Sequence, residues 1–423
     1  MINNPLPPPI HPIRAIDLPP LEHTRLSNGL PCYQVNMGTQ DLVRIEAVFW
    51  AGRPYEREKL VARTTTSLIK EGTLRTTGAA IAEHFDYYGA GLSTPFQLDT
   101  GNVAMYCLSK HVPEILPLFM ELLTEPAFAP GDLQAYIKRK QSSLKEDLSK
   151  PEVLAYRQIT ECFFGAEHPY GYNSNADTYA ALQAEWLHEH HRRCFHANNG
   201  FVLISGRVDQ ATEAYIYQQL AQLPARAEVP APRLLLTAAT PAELRIAQPG
   251  AVQAAIRMGR RLFSRNHPDA NGMYVLATLL GGYFGSRLME NIREDKGYTY
   301  NISASYDSMR FDGAFHIETE VSPDFLEPTL REIRLEMARL QNEPIPADEL
   351  EMVRNYLMGS FLTMIDGPFN WAETVRTLLV EQLDTTALQR LVETVQTITA
   401  EQLQDLAQRY FNPQDNWTVL VGH

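Results

Sequence analysis

The chain has 423 residues, with 37 Lys+Arg against 50 Asp+Glu for a formal net charge of −13, and 44% of its residues are hydrophobic. This is the composition of a soluble globular protein of two or three domains, and it excludes a disordered, fibrous or disulfide-stapled chain. The acidic balance argues against a general phosphate-backbone binder, and the most apolar run, residues 273–284, is far short of the roughly 20 residues that span a bilayer; neither nucleic acid nor membrane is an expected partner.

Taken in chain order, the start (Met-Ile-Asn-Asn-Pro-Leu-Pro-Pro-Pro) has neither the basic nor the apolar region of an export signal. As written the chain is expected in the cytoplasm, or in the periplasm if a leader has been removed. Residues 42–50, rich in branched and aromatic side chains, read as a strand, and residues 112–123 carry apolar positions at helical spacing. His84 reads as a partly buried helix histidine. His188, His190, His191 and His196 crowd one segment, but His188 and His191 share a helical face that His190 does not, with Glu and Arg between them. This reads as a solvated helix end, because neither H-E-x-x-H nor H-x-x-E-H occurs in the chain. Cys32, Cys107, Cys162 and Cys194 form no C-x-x-C pair and read as free thiols.

Prolines 224, 230, 232 and 241 forbid a helix through residues 224–241, which read as an extended linker. Beyond it, residues 244–258 suggest strand around a Pro-Gly turn. A helix is expected to start at Ser286 as side-chain cap and to stop at Lys296 with Gly297 left-handed. A strand follows, with Tyr298, Tyr300, Ile302, Ala304 and Tyr306 on one face. Residues 325–340 place Leu326, Leu330, Ile333 and Met337 on one helical face.

The chain also repeats itself. F-H-A-N-N-G-F-V-L-I-S-G ends one half and F-N-P-Q-D-N-W-T-V-L-V-G ends the other, 216 positions apart; Glu125-Pro126 and Glu343-Pro344 precede similar Pro-x-Asp segments at nearly the same offset. The expected organisation is therefore two similar α+β domains, residues 1–223 and 242–423, each a mixed or antiparallel sheet packed with several helices. On pattern alone, Arg293 is a charge in the last turn of a helix and Tyr300 either a half-buried core aromatic or part of a site.

The duplication, T-R-L-S-N-G-L-P at 24–31, H-P-Y-G at 168–171 and S-R-L-M-E-N-I-R-E-D-K-G-Y-T-Y at 286–300 together resemble the M16 family of zinc metallopeptidases, over nearly the whole chain. The resemblance implies the duplicated LuxS/MPP-like metallohydrolase fold and a clamshell assembly around a peptide. Active members carry H-x-x-E-H in a segment similar to L-V-A-R-T-T-T-S-L-I-K-E-G-T at 60–73. Arg63 and Ser67 stand at the histidine-ligand positions, Thr66 at that of the glutamate base, and Ser143 at or beside the third ligand. An Arg, a Thr and two Ser cannot supply a zinc site, so no metal is expected in this chain.

Arg293 and Tyr300, seven positions apart, match the pair that a C-terminal M16 domain contributes across the clamshell. The resemblance thus implies a subunit inactive alone, which completes the site of a partner M16 chain bearing H-x-x-E-H, zinc and the base, with a peptide as substrate and a homodimer possible in isolation. The alternative is a structural scaffold similar to the core subunits of the bc1 complex. A solitary active peptidase is not expected.

Overall fold

The structure, a computed structural model, describes residue 13, residues 15–234 and residues 240–422. The Pro-rich start, the middle of the linker (235–239) and His423 lie outside the described residues; the flanks of the linker, 224–234 and 240–242, hold neither helix nor strand.

In the first half the strands are β1 (Glu22–Arg25), β2 (Pro31–Asn36), β3 (Leu42–Phe49), β4 (Gly91–Ser93), β5 (Gly101–Leu108) and β6 (Gly200–Gly206). The second half supplies β7 (Glu243–Ile246), β8 (Ala254–Leu262), β9 (Thr299–Ser308), β10 (Gly313–Val321) and β11 (Trp417–Val421). Helices α1 (Val61–Leu68), α2 (Gly78–Tyr87), α3 (Val112–Thr124), α4 (Pro130–Asp147), α5 (Pro151–Phe164), α6 (Ala176–Ala180), α7 (Ala184–Cys194) and α8 (Gln210–Leu220) belong to the first half. The second half contains α9 (Ala270–Ala277), α10 (Leu326–Asn342), α11 (Ala347–Ile365), α12 (Gly367–Val380), α13 (Thr386–Thr397) and α14 (Ala400–Tyr410).

Among the described residues the sheets run β1-β2-β6-β3-β5-β4 and β7-β11-β8-β10-β9. Each has one parallel pair, β2 with β6 and β7 with β11, followed by antiparallel neighbours. Apart from β1 the two orders are the same, so the fold is a duplicated α+β fold. The segments that repeat at an offset of 216 form β6 and β11, the parallel partners in their sheets.

β6 is buried along nearly its whole length and β3 along most of its own, which requires cover on both faces of the sheet. That cover is exchanged between the halves. Ala155, Ile159 and Phe163 of α5 cluster with Ala255, Val419 and Val421 of the second sheet. Reciprocally, Trp371, Ala372 and Val375 of α12 share a core with Val35, Val48, Phe201 and Leu203 of the first. Arg376 of α12 donates to Glu46 of β3 at 3.1 Å, and Asn102 donates to the same oxygen at 2.8 Å.

Some local expectations need correction. The histidine segment is not solvated: His190, His191 and His196 are buried, and only His188 is exposed. The ring nitrogens of His190 and His191 reach the carbonyls of Ala51 and Leu123, each at 2.9 Å, because the loop after β3 and the end of α3 present free carbonyls to α7. Burial pushes both imidazoles down to about 4, so they are neutral packing elements. Nor does Ser286 cap a helix: its hydroxyl is buried without a hydrogen-bond partner. The helix it precedes widens into π turns over Met289–Asp295, and Gly297 at φ 63° makes the expected left-handed stop.

Candidate functional site

Helix α1 starts without a capping side chain, since Leu60 stands at the N-cap with φ 73°. Glu56 takes over that role: the Ala62 N–H donates to its Oε2 at 3.0 Å, and the Tyr172 hydroxyl donates to its Oε1 at 2.5 Å. Burial pushes the Glu56 carboxyl up to about 7, with Tyr172, the Ala62 amide and Arg53 pulling the other way. Along α1, Thr64 and Thr65 are fully buried, and the Thr66 hydroxyl turns back to the Ala62 carbonyl at 3.1 Å.

Arg63 holds its guanidinium 4.6 Å from the centre of the Phe96 ring. A narrow cleft brings Arg63, Thr66 and Ser67 together with Phe96. A neighbouring cavity of about 300 Å³ brings Arg63 to Ser143 of α4, with Arg53, Lys140 and Arg157 also in its wall. The Ser143 hydroxyl donates to the Arg139 carbonyl at 3.1 Å. Neither cleft nor cavity offers an imidazole or thiolate, and among the described residues no group of three or more His, Cys, Asp or Glu is placed to hold a metal. A guanidinium stacked on a phenyl ring and two hydroxyls bonded back to their own helices do not fit zinc.

The other predicted pair lies on the second half. The π turns end at Gly297, the Tyr298 N–H donates to the Ile292 carbonyl at 3.0 Å, and β9 begins two residues after the glycine. This turn sets Arg293 beneath Tyr300: the guanidinium carbon is 5.5 Å from the Tyr300 ring centre and 4.4 Å from that of Phe284. Arg293 also forms an ion pair with Glu294 at 2.5 Å. Tyr300 has the parity of the buried Ile302 and Ala304 but is 86% exposed, which overturns the core reading. Phe284 is 63% exposed and was not singled out by sequence; only its glycine-flanked position in Gly-Gly-Tyr-Phe-Gly sets it apart. Arg53, Lys140 and Arg157, from separate elements, had no sequence signal at all.

Residues 181–357 match the peptidase M16 inactive domain. An uncharacterized zinc protease of Rickettsia bellii is 23% identical over 349 residues, 80% of this chain and 82% of that protein. Another, from Mycobacterium leprae, is 21% identical over 394 residues, 91% and 85% of the two chains. A peptidase M16 inactive domain from Pseudomonas fluorescens superposes with a TM-score of 0.87 at 21% identity, covering 95% of this chain and 98% of that one. The periplasmic protease PqqL of Escherichia coli gives 0.79 at 15% identity over 98% of this chain but 47% of its own. A chain of complex III from Candida albicans gives 0.76 at 12% identity over 95% of both. Among the described residues no helix is long and apolar enough to cross a membrane. With a matching inactive domain, zinc-protease relatives along most of its length and the duplicated fold, the chain is an M16-type homologue that lacks the family's zinc-binding motif.

Proposed function

We propose that this chain is the non-zinc-binding subunit of a heteromeric M16-type peptidase, contributing Arg293 and Tyr300 to the site of a partner that carries an intact H-x-x-E-H. The observation that carries this reading is the cluster of exposed Phe284 and Tyr300 about a half-buried Arg293: a phenol presented to solvent over a guanidinium has no packing role in this chain. Zinc, attacking water and general base belong to the partner. A peptide carbonyl under attack gains negative charge on its oxygen, and a phenol donor beside a permanent cation stabilises that charge in a closed, dry chamber.

Beside this cluster, β9 is the edge of its sheet, so an extended peptide can add to it through backbone hydrogen bonds with little demand on sequence. The fact that this chain covers 47% of PqqL supports a need for as much chain again. The scaffold reading draws on the complex III likeness, which is one of fold.

The test is to combine the purified chain with an M16 chain bearing H-x-x-E-H and to follow peptide hydrolysis. Tyr300→Phe and Arg293→Ala are each expected to lower kcat by about 10²-fold while the two chains still co-purify. Hydrolysis unchanged in both variants sinks the shared site. Association without any hydrolysis favours the scaffold. Alone, as monomer or homodimer, the chain is expected to show no peptidase activity and no stoichiometric zinc by metal analysis.

A further inference from the structure

The cavity between α1, α4 and α5 is cationic in a chain whose net charge is −13. Arg53, Arg63, Lys140 and Arg157 line it, and among the described residues none of the four is ion-paired. This sets them apart from Arg261, Arg287 and Arg376, each of which sits on a carboxylate. Asp147 at the cavity wall is engaged by Lys150 at 3.2 Å, and Glu56 behind it is held by Tyr172 and the Ala62 amide. Burial, then the charge of Arg63, holds the Lys140 ammonium below its usual range; burial, with Arg53 adding repulsion, does the same to Arg157. The Arg53 Nε–H is buried and has no acceptor. Asp147, and for Arg157 also Glu161, offset part of this repulsion; the remainder costs free energy that a bound anion would remove.

We propose that this cavity, at the place where the resemblance puts a metal centre, is an anion site that takes the carboxylate end of a peptide. About 300 Å³ holds one or two residues and not a folded segment. Guanidinium groups match a carboxylate in fork geometry. Arg53 and Arg157 already donate to the carbonyls of Pro169, Tyr172 and Ser174, which leaves Arg63 and Lys140 as the main contacts. Tyr156, half exposed, gives the wall an aromatic face for the side chain next to the carboxylate. The proposal rests on the proposed function only in naming a peptide as carrier of the carboxylate.

Calorimetric titration of the isolated full chain tests it without any partner, so its failure is distinct from failure of the shared catalytic site. The probes are a pentapeptide with a free C-terminus, the same peptide as its C-terminal amide, and inorganic phosphate. The free acid is expected to bind at least about tenfold more tightly than the amide. Arg63→Gln and Lys140→Gln, both at partly exposed positions on helix surfaces, are each expected to weaken it about tenfold with melting temperatures unchanged. Equal binding of acid and amide, binding of neither, or indifference to both substitutions overturns the proposal. Phosphate binding where the free acid does not bind marks a site for free anions and overturns the peptide assignment.

Discussion

The two sheets place equivalent residues in opposite electrical roles. By pairing register, Glu46 of β3 stands opposite Leu203 of β6 as Arg257 of β8 stands opposite Val419 of β11, and both are buried. Glu46 looks to the other half, to Arg376 on the exchanged helix α12, and also accepts from Arg44 at 2.9 Å. Arg257 stays within its own sheet, 2.7 Å from Glu320 of β10. The exchanged helices differ accordingly: where α12 has Arg376, α5 has Thr160, bonded to its own helix. One half of the exchange is locked by a buried ion pair and the other by apolar packing. The asymmetry is between the exchanged helices and not the whole seam, where the Arg310 N–H of the second half also donates to the buried Asp99 of the first at 3.2 Å.

Breaking the lock on α12 gives the largest expected effect. Glu46→Ala leaves Asn102 without its acceptor and Arg376 with only the half-exposed Glu373 as partner, and is expected to cost about 3 kcal/mol, read as a lower denaturation midpoint. Thr160→Ala, the equivalent change on α5, is expected to lie within about 0.5 kcal/mol of wild type. Equal effects at the two positions would show that the asymmetry carries no energy.

A smaller effect separates the halves at their edge strands. β4 has three residues, whereas β9 has ten and carries Tyr300. Beneath β9 lies Gly281, where an added Cβ would run into the backbone nitrogen of Ala304. Gly281→Ala is expected to cost about 2 kcal/mol through overpacking and to shift β9. A chemical denaturation series gives the first number, and protection of β9 amides against hydrogen exchange checks the second.

The duplication was legible because β6 and β11 are each bracketed by a polar turn and a glycine, and such short-range chemistry survives when side chains diverge. The exchange of α5 and α12 was not legible, since helical periodicity reports that a face is buried and not which sheet buries it. The same limit explains the histidines. Glu and Arg between them suggested solvent, but carbonyls left free by other segments made burial of His190 and His191 affordable in hydrogen bonds. In the candidate sites, the resemblance singled out both Arg293 with Tyr300 and the vacated metal positions, whereas pattern alone left the pair as a helix-end charge and a strand aromatic. The cationic cavity depends on charges from the turn at Arg53, from α4 and from α5, which only the tertiary fold brings together.

The smallest expected effect distinguishes the starts of the two helices that follow the central strands, α1 after β3 and α9 after β8. At α1, burial raises the Glu56 carboxyl to about 7 from an ordinary 4.5. The folded state therefore holds a proton that the unfolded chain releases, and stability falls as pH rises through that window. At α9, burial pushes Asp269 upward, but hydrogen bonds from Arg409 and Tyr410 outweigh it and hold the carboxyl below its ordinary value. Its contribution is complete near neutrality and is lost only as pH falls through the acid range. Between pH 6.5 and 8 the neutral His190 and His191 add stability as the unfolded imidazoles lose their protons, which masks the Glu56 slope in wild type. The difference between wild type and Glu56→Gln removes that mask: it is expected to fall by about 1 kcal/mol from pH 6.5 to 8. For Asp269→Asn the same difference stays flat over that range. A flat difference for Glu56→Gln as well would mean that the carboxyl at the head of α1 is ionised at neutral pH, and the start of that helix would then be no different in kind from the start of α9.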